Sequence, residues 1–454
     1  MPITTGEAQP RRFRPYSAYA PTDVSWVQQL PSHWQTKPLK FAVRINPDEL
    51  PETTDPDYEI GYVDIGNVEH IRGILCTQEY RFEDAPSRAR RRVCDGDTII
   101  STVRTYLKAV ARIEKPPENM IVSTGFAVLR PGRDVHPGYL YRLVQCEEFV
   151  GRVVANSVGV SYPAIAPTVL GRCAIWLPPF DEQRAIAAFL DRETAKIDGL
   201  VEKKRRLVEL LKEKRTALIS RAVTKGLNPV APMKPSGVEW FGDVPEAWTV
   251  KRLRHIVLNI TVGIVVTPAK YYELEGVPCL RSLNISSQRI ADLAELVYIS
   301  TDANRLHRKS IIRAGDIVIV RTGRTGAAAI VTPEFDGANC VDLVIVRQSE
   351  QVYPEYLHYY INALPATRQV EAMSVGSLQA HYNTRTVGEL VVPVPPKDEQ
   401  RRILDYLETA TGRLERLSGQ VSGAIERLNE YRSALISAAV TGKIDVRGEV
   451  VACR

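Results

Sequence analysis

The sequence contains no long apolar run and no paired cysteines. Of its 454 residues 44% are hydrophobic, yet no run approaches the roughly 18 apolar residues of a membrane-spanning helix, and the N-terminus lacks the apolar core of a signal peptide. The seven cysteines are scattered and never form a CxxC pair, so the sequence indicates neither a zinc knuckle nor a disulfide framework. We therefore expect a soluble protein of the reducing cytoplasm.

Motifs that carry catalysis are also missing. There is no P-loop pattern GxxxxGK[ST], no Asn-Pro-Pro-Tyr-like methyltransferase tetrad and no HExxH. Asp198, Glu202 and Lys204 loosely follow a nuclease spacing, but they lie in a helical pattern where charged i,i+4 faces are common. His381 beside Tyr382 has no accompanying nucleophile or carboxylate motif. The sequence therefore predicts a non-enzymatic protein with no catalytic, metal-binding or cofactor-binding residue.

The longest regular pattern is the proline-free stretch 181–224, DEQRAIAAFLDRETAKIDGLVEKKRRLVELLKEKRTALISRAVT. It follows Pro178-Pro179, opens with acidic residues and ends before Gly226, which are start and stop signals of a helix. Leucine and isoleucine recur at spacings of three, four or seven, as on the seam of a coiled coil. The predicted seam is Leu190, Ile197, Leu200, Leu207, Leu211 and Leu218.

The same helical pattern returns at an offset of 217 residues, from 181 to 398. Residues 398–441 read DEQRRILDYLETATGRLERLSGQVSGAIERLNEYRSALISAAVT, again after a Pro-Pro pair. Two similar helices are expected to pack on each other, although each could instead pack on its own domain. The second predicted seam is Leu407, Leu414, Leu417, Ala424, Leu428 and Leu435.

The regions that precede the helices indicate two mixed domains. VSWVQQLPSHW at 24–34 matches VEWFGDVPEAW at 238–248, and each match is followed by short β-branched runs, turn residues and a helical pattern. The predicted fold class is α+β, with two mixed α/β domains joined and spaced by two long antiparallel coiled-coil helices in an internal pseudo-two-fold repeat. The predicted boundaries are a flexible arm 1–20, a domain 21–177, a helix 178–226, a domain 227–394, a helix 395–441 and a tail 442–454.

Several motifs together resemble the specificity subunit of Type I restriction-modification systems over nearly the whole chain. LPSHW and VPEAW open the domains, GDTIISTVR and GDIVIVRTGRTG lie in their middles, PPFDEQR and PPKDEQR open the helices, and TGKID follows the second helix. The resemblance implies two target recognition domains, each reading half of a bipartite, asymmetric site in double-stranded DNA, with the helices as a spacer.

The same resemblance implies partners and places the chemistry on them. It implies two methyltransferase (modification) subunits that use S-adenosylmethionine, and restriction subunits that use ATP and Mg. Methylation and cleavage would then be directed by this chain and performed by those subunits. No cofactor is implied on the chain itself.

Groups that could contact DNA are concentrated in a basic run and in two loops of each domain. Phosphates are bound by Arg, Lys and hydroxyl groups, and bases are read by amides, hydroxyls and Arg. The bland alternatives are a solvated loop for the run SRARRR at 87–92 and ordinary polar turns for the loops. The predicted DNA-binding residues are Arg90, Arg91, Arg104, Tyr106, Lys108, Ser157, Ser161 and Tyr162 in the first domain, and Arg321, Thr322, Arg324, Ser377, Gln379, His381, Tyr382 and Asn383 in the second.

Two other classes of function compete with DNA recognition. A stand-alone nuclease or DNA-modifying enzyme would require a metal-carboxylate or cofactor motif. A purely structural coiled-coil scaffold would not require two globular domains with different polar loops. We therefore favour the DNA-recognition subunit.

Overall fold

The computed structural model describes residues 13–24, 26–286, 289–321, 326–373 and 382–449. The chain divides into two compact units. Unit 1 comprises Met1–Lys204 and Gly423–Arg454, and unit 2 comprises Arg205–Ser422. Each unit therefore contains one α+β domain together with a part of both long helices. Within the described residues, no helix is long and apolar enough to cross a membrane.

The domain of unit 1 is built on two four-stranded sheets. One has the order β11-β10-β13-β4, and the other has the order β8-β5-β12-β9, in which β5 and β12 run parallel. All four residues of β10 are buried, including the polar Thr98 and Ser101, so this strand does not alternate between buried and exposed positions. The strands are β1 (Tyr19–Pro21), β2 (Gln29–Pro31), β3 (Gln35–Pro38), β4 (Val43–Ile45), β5 (Glu59–Val63), β6 (Val68–Glu69), β7 (Gly73–Ile74), β8 (Gln78–Arg81), β9 (Ala89–Arg92), β10 (Thr98–Ser101), β11 (Val110–Arg112), β12 (Met120–Ser123), β13 (Phe126–Pro131) and β14 (Ala174–Leu177).

Helices cover the first of these sheets and form the main core of unit 1. The helices are α1 (Pro137–Gln145), α2 (Glu147–Ala155), α3 (Pro167–Leu170) and the first part of α4 (Phe180–Lys225). Pro137 occupies the first turn of α1, where its missing N–H costs nothing. Tyr139 and Leu143 of α1 and Phe189 of α4 are fully buried in one apolar cluster with β13 and the end of the second long helix.

The domain of unit 2 is also built on two four-stranded sheets. Its sheet β18-β25-β22-β23 has the antiparallel pairing of β4-β13-β10-β11, and its second sheet has the order β19-β21-β20-β24. The strands are β15 (Met233–Pro235), β16 (Asp243–Pro245), β17 (Thr249–Arg252), β18 (Ile260–Val262), β19 (Tyr272–Glu273), β20 (Val277–Leu280), β21 (Val297–Ile299), β22 (Ile317–Val320), β23 (Ala328–Ile330), β24 (Asn339–Cys340), β25 (Leu343–Val346) and β26 (Val391–Val394). The helices are α5 (Thr301–Leu306), α6 (Pro354–Ile361), α7 (Leu364–Met373), α8 (Thr384–Glu389) and α9 (Lys397–Val440). The predicted mixed α+β class is confirmed.

In each unit a buried tyrosine at an equivalent position joins the domain to the long helices. In unit 1 the Tyr139 hydroxyl lies 3.0 Å from the carbonyl oxygen of Trp176 and 3.5 Å from that of Val440. In unit 2 the Tyr356 hydroxyl lies 3.0 Å from the carbonyl oxygen of Val223 and 2.9 Å from that of Pro393. Burial raises the pKa of both hydroxyls, so each stays protonated and donates.

Both predicted long helices are observed, but some predicted seam residues lie off the buried stripe. Leu200 and Leu207 of α4 are 44% and 40% exposed, whereas their neighbour Val201 is buried. In α9 Leu417 is exposed and Val421 is buried. The less exposed stripe of α4 keeps the expected alternation of four and three residues. It runs through Leu190, Thr194, Ile197, Val201, Lys204, Val208, Leu211, Arg215, Leu218 and Ala222.

Polar residues at the seam explain the incorrect positions. Thr194 is buried because its hydroxyl donates to the carbonyl oxygen of Leu190, 2.7 Å away. Arg432 of α9 is buried because its guanidinium pairs with Asp198. A seam that is chosen from apolar residues alone omits such polar positions. It then includes exposed leucines that lie beside the buried stripe.

The predicted flexible arm is folded from residue 13 onward. The rings of Phe13 and Phe189 pack edge to face with centroids 5.4 Å apart. The backbone N–H of Asp445, in the predicted tail, donates to the carbonyl oxygen of Arg14 at 2.7 Å. The low hydrophobicity of residues 1–20 gave no sign of these contacts, because they are made with residues far along the chain. Residues 1–12 lie outside the described range.

Candidate nucleic-acid interface

A tight turn between β10 and β11 carries three of the predicted DNA-binding residues. The turn contains a 3-10 helix, Thr105–Leu107, and the residues on either side, Arg104 and Lys108, have φ of 53° and 51°. A side chain in this left-handed region costs of order 1 kcal/mol, so the surrounding contacts must hold the turn in place. Arg104 and Tyr106 are exposed, while Lys108 is partly buried.

The second predicted loop of unit 1 packs directly on this turn. The backbone N–H of Arg104 donates to the carbonyl oxygen of Pro163 at 2.8 Å, and Val103 forms a β-bridge with Ala164. The hydroxyls of Thr105 and Ser157 lie 2.8 Å apart. Two loops that are about fifty residues apart in sequence therefore form one continuous surface.

A cation and an aromatic ring are stacked at the centre of this surface. The Arg104 guanidinium lies 4.8 Å from the centroid of the Tyr162 ring, and Tyr162 and Ser161 are exposed. Stacking holds the planar guanidinium in one orientation while leaving its N–H groups available to an acceptor. Phosphate oxygens and the acceptor groups of guanine are the nucleic-acid groups that suit it.

Lys108 and Ser157 are already engaged within the protein. The Lys108 Nζ atom lies 2.8 Å from Glu147 Oε2, and the Ser157 hydroxyl contacts the carbonyl oxygen of Val153 at 2.7 Å as well as Thr105. Lys108 therefore joins the turn to α2, and Ser157 joins the second loop to the turn.

The basic run forms a strand rather than the solvated loop of the bland alternative. Arg90 and Arg91 lie in β9, with the Arg90 guanidinium 4.7 Å from the centre of the Phe82 ring. Arg91 Nη1 lies 2.6 Å from Glu49 Oε1, and partial burial lowers the pKa of this guanidinium. Both arginines therefore have structural partners in unit 1.

The corresponding turn of unit 2 is described only in part. Arg321 Nη1 donates to Asp342 Oδ1 at 2.8 Å. The remaining predicted residues of the two loops, Thr322, Arg324, Ser377, Gln379 and His381, lie outside the described residues.

Two of the residues predicted to contact bases in unit 2 have structural roles within the described part of the chain. Tyr382 is 3% exposed and belongs to the apolar core, and a β-carbon at Gly326 would lie 2.6 Å from its ring. Asn383 caps α8, because its Oδ1 accepts the backbone N–H of Thr386 at 2.9 Å. A bidentate contact to adenine needs both halves of the amide. An asparagine directly before a helical run was the available sign of the cap.

The search for polar groups in the sequence missed two exposed valines in the loop of unit 1. Val158 and Val160 are 81% and 101% exposed. They flank Gly159, whose φ is 116°. A glycine between two valines in an otherwise polar loop was the only sequence signal for them. Among the residues that the structure describes, no group of three or more His, Cys, Asp or Glu could hold a metal ion.

Comparison with known proteins identifies a domain class in the second half of the chain. Residues 269–427 match the Type I restriction modification DNA specificity domain. This segment includes β22 and β25, the helices α6 to α8, and the first part of α9.

Curated relatives extend the similarity over more of the chain. The Type I restriction enzyme EcoBI specificity subunit of Escherichia coli is 23% identical over 310 residues, which are 65% of this chain and 64% of that subunit's own length. The Type I restriction enzyme MjaIX specificity subunit of Methanocaldococcus jannaschii is 25% identical over 451 residues, covering 96% of this chain and 98% of the relative. The resemblance to Type I specificity subunits that the motifs indicated is therefore confirmed.

A solved structure shares the fold. A chain from a structure describing complex assembly and conformational transition of the type I R-M system superposes with a TM-score of 0.72 at 23% sequence identity. The match covers 91% of this chain and 99% of that chain.

Proposed function

We propose that this chain is the DNA sequence-specificity subunit of a Type I restriction-modification complex. It binds a bipartite, asymmetric target in double-stranded DNA through its two domains, and it directs methylation and cleavage by partner subunits. The observation that carries the proposal is the surface of unit 1 on which Arg104 and Tyr162 are stacked across two interlocked loops. The similarity to the EcoBI and MjaIX specificity subunits supports it.

The rigidity of that surface suits sequence reading. A side chain that must match one base edge loses less entropy on binding when its position is already fixed. Arg104 is fixed by its own backbone hydrogen bond to Pro163 and by the ring of Tyr162. We assign it a phosphate or guanine contact in the half-site read by unit 1.

The long helices act as a spacer in this proposal, paired antiparallel as a coiled coil with pseudo-two-fold symmetry. In unit 1 Ile197 of α4 belongs to the same apolar cluster as Leu435 near the end of α9. In unit 2 Ile219 near the end of α4 belongs to the same cluster as Ile403 near the start of α9. The beginning of each helix thus meets the end of the other, which supports the antiparallel pairing.

Two copies of a methyltransferase subunit are the partners proposed for the outer faces of the helices. Leu200 of α4 and Leu417 of α9, separated by the 217-residue offset, are both exposed. Equivalent exposed leucines on equivalent helices suit two copies of one partner. S-adenosylmethionine would be bound by these subunits, and ATP and Mg by restriction subunits, with no cofactor on this chain. Native mass spectrometry of the assembled complex should show two methyltransferase subunits per chain, and a one-to-one complex at saturating partner would contradict this stoichiometry.

The test of function uses the chain assembled with its methyltransferase subunits and a pool of randomised DNA duplexes. Selection should enrich two short half-sites separated by an unspecified gap. Arg104→Ala should weaken binding and, if the contact is to phosphate, reduce the slope of log affinity against log salt by about one. Arg184→Ala, which removes an exposed arginine of α4, is the matched control. The absence of any enriched sequence would refute the proposal, and so would methylation or cleavage of DNA by the chain purified alone.

A further inference from the structure

The loop that packs on the β10–β11 turn ends in an apolar tip. We call residues 158–160 the valine tip. Val160 is fully exposed and Val158 nearly so, although burial of an apolar side chain is favourable. The neighbouring residues Arg104, Ser161 and Tyr162 are exposed as well, so the tip is an apolar point within a polar and cationic surface.

The valine tip is held in place by its backbone. Val158 and Ala164 exchange two backbone hydrogen bonds of 2.9 and 3.0 Å, which close the loop like a small hairpin. Gly159, with φ of 116°, turns so tightly that a β-carbon there would lie 3.1 Å from the carbonyl oxygen of Tyr162. Residues 160 and 161 therefore form the apex of a closed loop, which is itself bridged to Val103.

A ligand for this surface must combine negative charge with a small apolar group. Arg104 supplies an exposed cation and Tyr162 an aromatic face beside the tip. Double-stranded DNA has both features, because phosphates line the groove and the C5 methyl of thymine is the apolar group on the major-groove edge of a base pair. A valine methyl can contact that group without any hydrogen bond.

We propose, on the basis of the function proposed above, that Val160 reads the C5 methyl of a thymine in the half-site bound by unit 1. Gly159 permits the tight turn that positions the Val160 side chain. The stacked Arg104 and Tyr162 hold the loop beside the DNA backbone. Val160 is thus a specificity-determining residue that a search for hydrogen-bonding groups overlooks.

The experiment removes the methyl group from the DNA and the apolar group from the protein. The full complex with its methyltransferase subunits is titrated with duplexes of the selected sequence, in which each thymine of the unit 1 half-site is replaced in turn by deoxyuridine. Base pairing is unchanged and a single methyl is lost. At one position we expect roughly fourfold weaker binding. Val160→Ser should weaken binding to the thymine duplex to a similar extent and should make the complex insensitive to deoxyuridine at that position.

Controls separate this reading from its alternatives. Val230→Ser removes a similarly exposed valine of unit 2 and should behave as the unmodified chain does. Since Val160 is fully exposed, Val160→Ser and Val160→Ala should leave thermal unfolding unchanged. A half-site without thymine, equal binding of all deoxyuridine duplexes, or full deoxyuridine sensitivity in Val160→Ser would overturn the proposal. Equal weakening of thymine and deoxyuridine duplexes by Val160→Ser would indicate a wedge between bases and would also overturn it. The absence of any sequence-selective binding would instead refute the proposed function itself.

Discussion

The two units contain the same ion pair between α4 and α9, but they bury it to different extents. In unit 1 Arg432 Nε lies 2.9 Å from Asp198 Oδ1, and the arginine side chain is 4% exposed. In unit 2 Arg215 Nη2 lies 3.3 Å from Glu415 Oε1, and the arginine side chain is 21% exposed. Both partners are related by the offset of 217 residues. The helices thus place equivalent charges together, while packing around them decides how strongly the guanidinium depends on its carboxylate.

The arginines that directly follow the equivalent strand segments at β10 and β22 lie in different surroundings. Arg104 of unit 1 is stacked on Tyr162, whereas Arg321, at the equivalent position of unit 2, donates to Asp342. Arginines at equivalent positions therefore have different contacts, an aromatic ring in unit 1 and a carboxylate in unit 2. The two units thus share this contact between the helices and differ at the arginines that follow the strands.

The largest expected effect tests whether the units unfold independently. Trp34 donates its indole N–H to Glu182 at 2.9 Å, and Trp248 donates to Glu399 at the same distance. Replacing either buried tryptophan with alanine should cost about 3 to 5 kcal/mol. Hydrogen exchange measured by mass spectrometry should show the loss of protection mainly in the unit that carries the substitution. Equal loss in both units would mean that they unfold as one cooperative body.

A smaller effect should distinguish the two ion pairs. Asp198→Ala leaves the buried Arg432 without its carboxylate and should destabilise unit 1 by about 1.5 to 3 kcal/mol. Glu415→Ala should cost less than about 1 kcal/mol, because Arg215 is more exposed. Denaturant unfolding of both variants measures the difference. Combining Asp198→Ala with Arg432→Met should recover much of the loss, and similar costs for the two single variants would contradict the comparison.

The next effect depends on pH and concerns a position where the units differ in residue type. His358 of unit 2 is buried, and this burial lowers its pKa from the usual 6.5, whereas the equivalent position of unit 1 is Tyr141. The unfolded chain binds the proton more readily than the folded chain does. The free energy of unfolding is therefore highest above about pH 6.5. It falls as the pH drops below that value, by at most about 1.4 kcal/mol per pH unit.

His358→Asn should therefore reduce the acid sensitivity of unit 2 alone. Unit 1 should keep its acid sensitivity, because burial also lowers the pKa of His70 and His136. The free energy of unfolding measured from pH 7.5 down to 5.5 tests this. An unchanged pH dependence of unit 2 would show that another group governs it.

The smallest effect separates a cap from a base reader. Asn383→Ala should destabilise α8 by about 1 kcal/mol, while Asn383→Asp should retain the cap through its carboxylate oxygen. If Asn383 only caps the helix, the aspartate variant should bind DNA as the unmodified chain does. Selective loss of the unit 2 half-site with Asn383→Asp would instead support the predicted base contact.

Patterns within short stretches were sufficient for much of the architecture. The spacing of Leu190, Ile197 and Leu211 predicted a long helix with a seven-residue alternation, because a helix seam depends on neighbours three and four residues apart. Short β-branched runs between turns predicted the mixed domains, and the motifs indicated the family resemblance. The choice of Leu200 and Leu207 was wrong because the less exposed stripe of α4 includes polar residues such as Thr194 and Arg215, whose contacts a pattern of leucines does not show.

The candidate site was decided by tertiary structure. Arg104 and Tyr162 were both predicted from sequence, but only the fold shows that they stack. Tyr382 is a tyrosine like Tyr162 and follows the corresponding loop of unit 2, yet its side chain is buried in the core of unit 2. Residue type determines which groups can contact DNA. Exposure and orientation depend on contacts between distant loops, and a linear pattern does not contain those contacts.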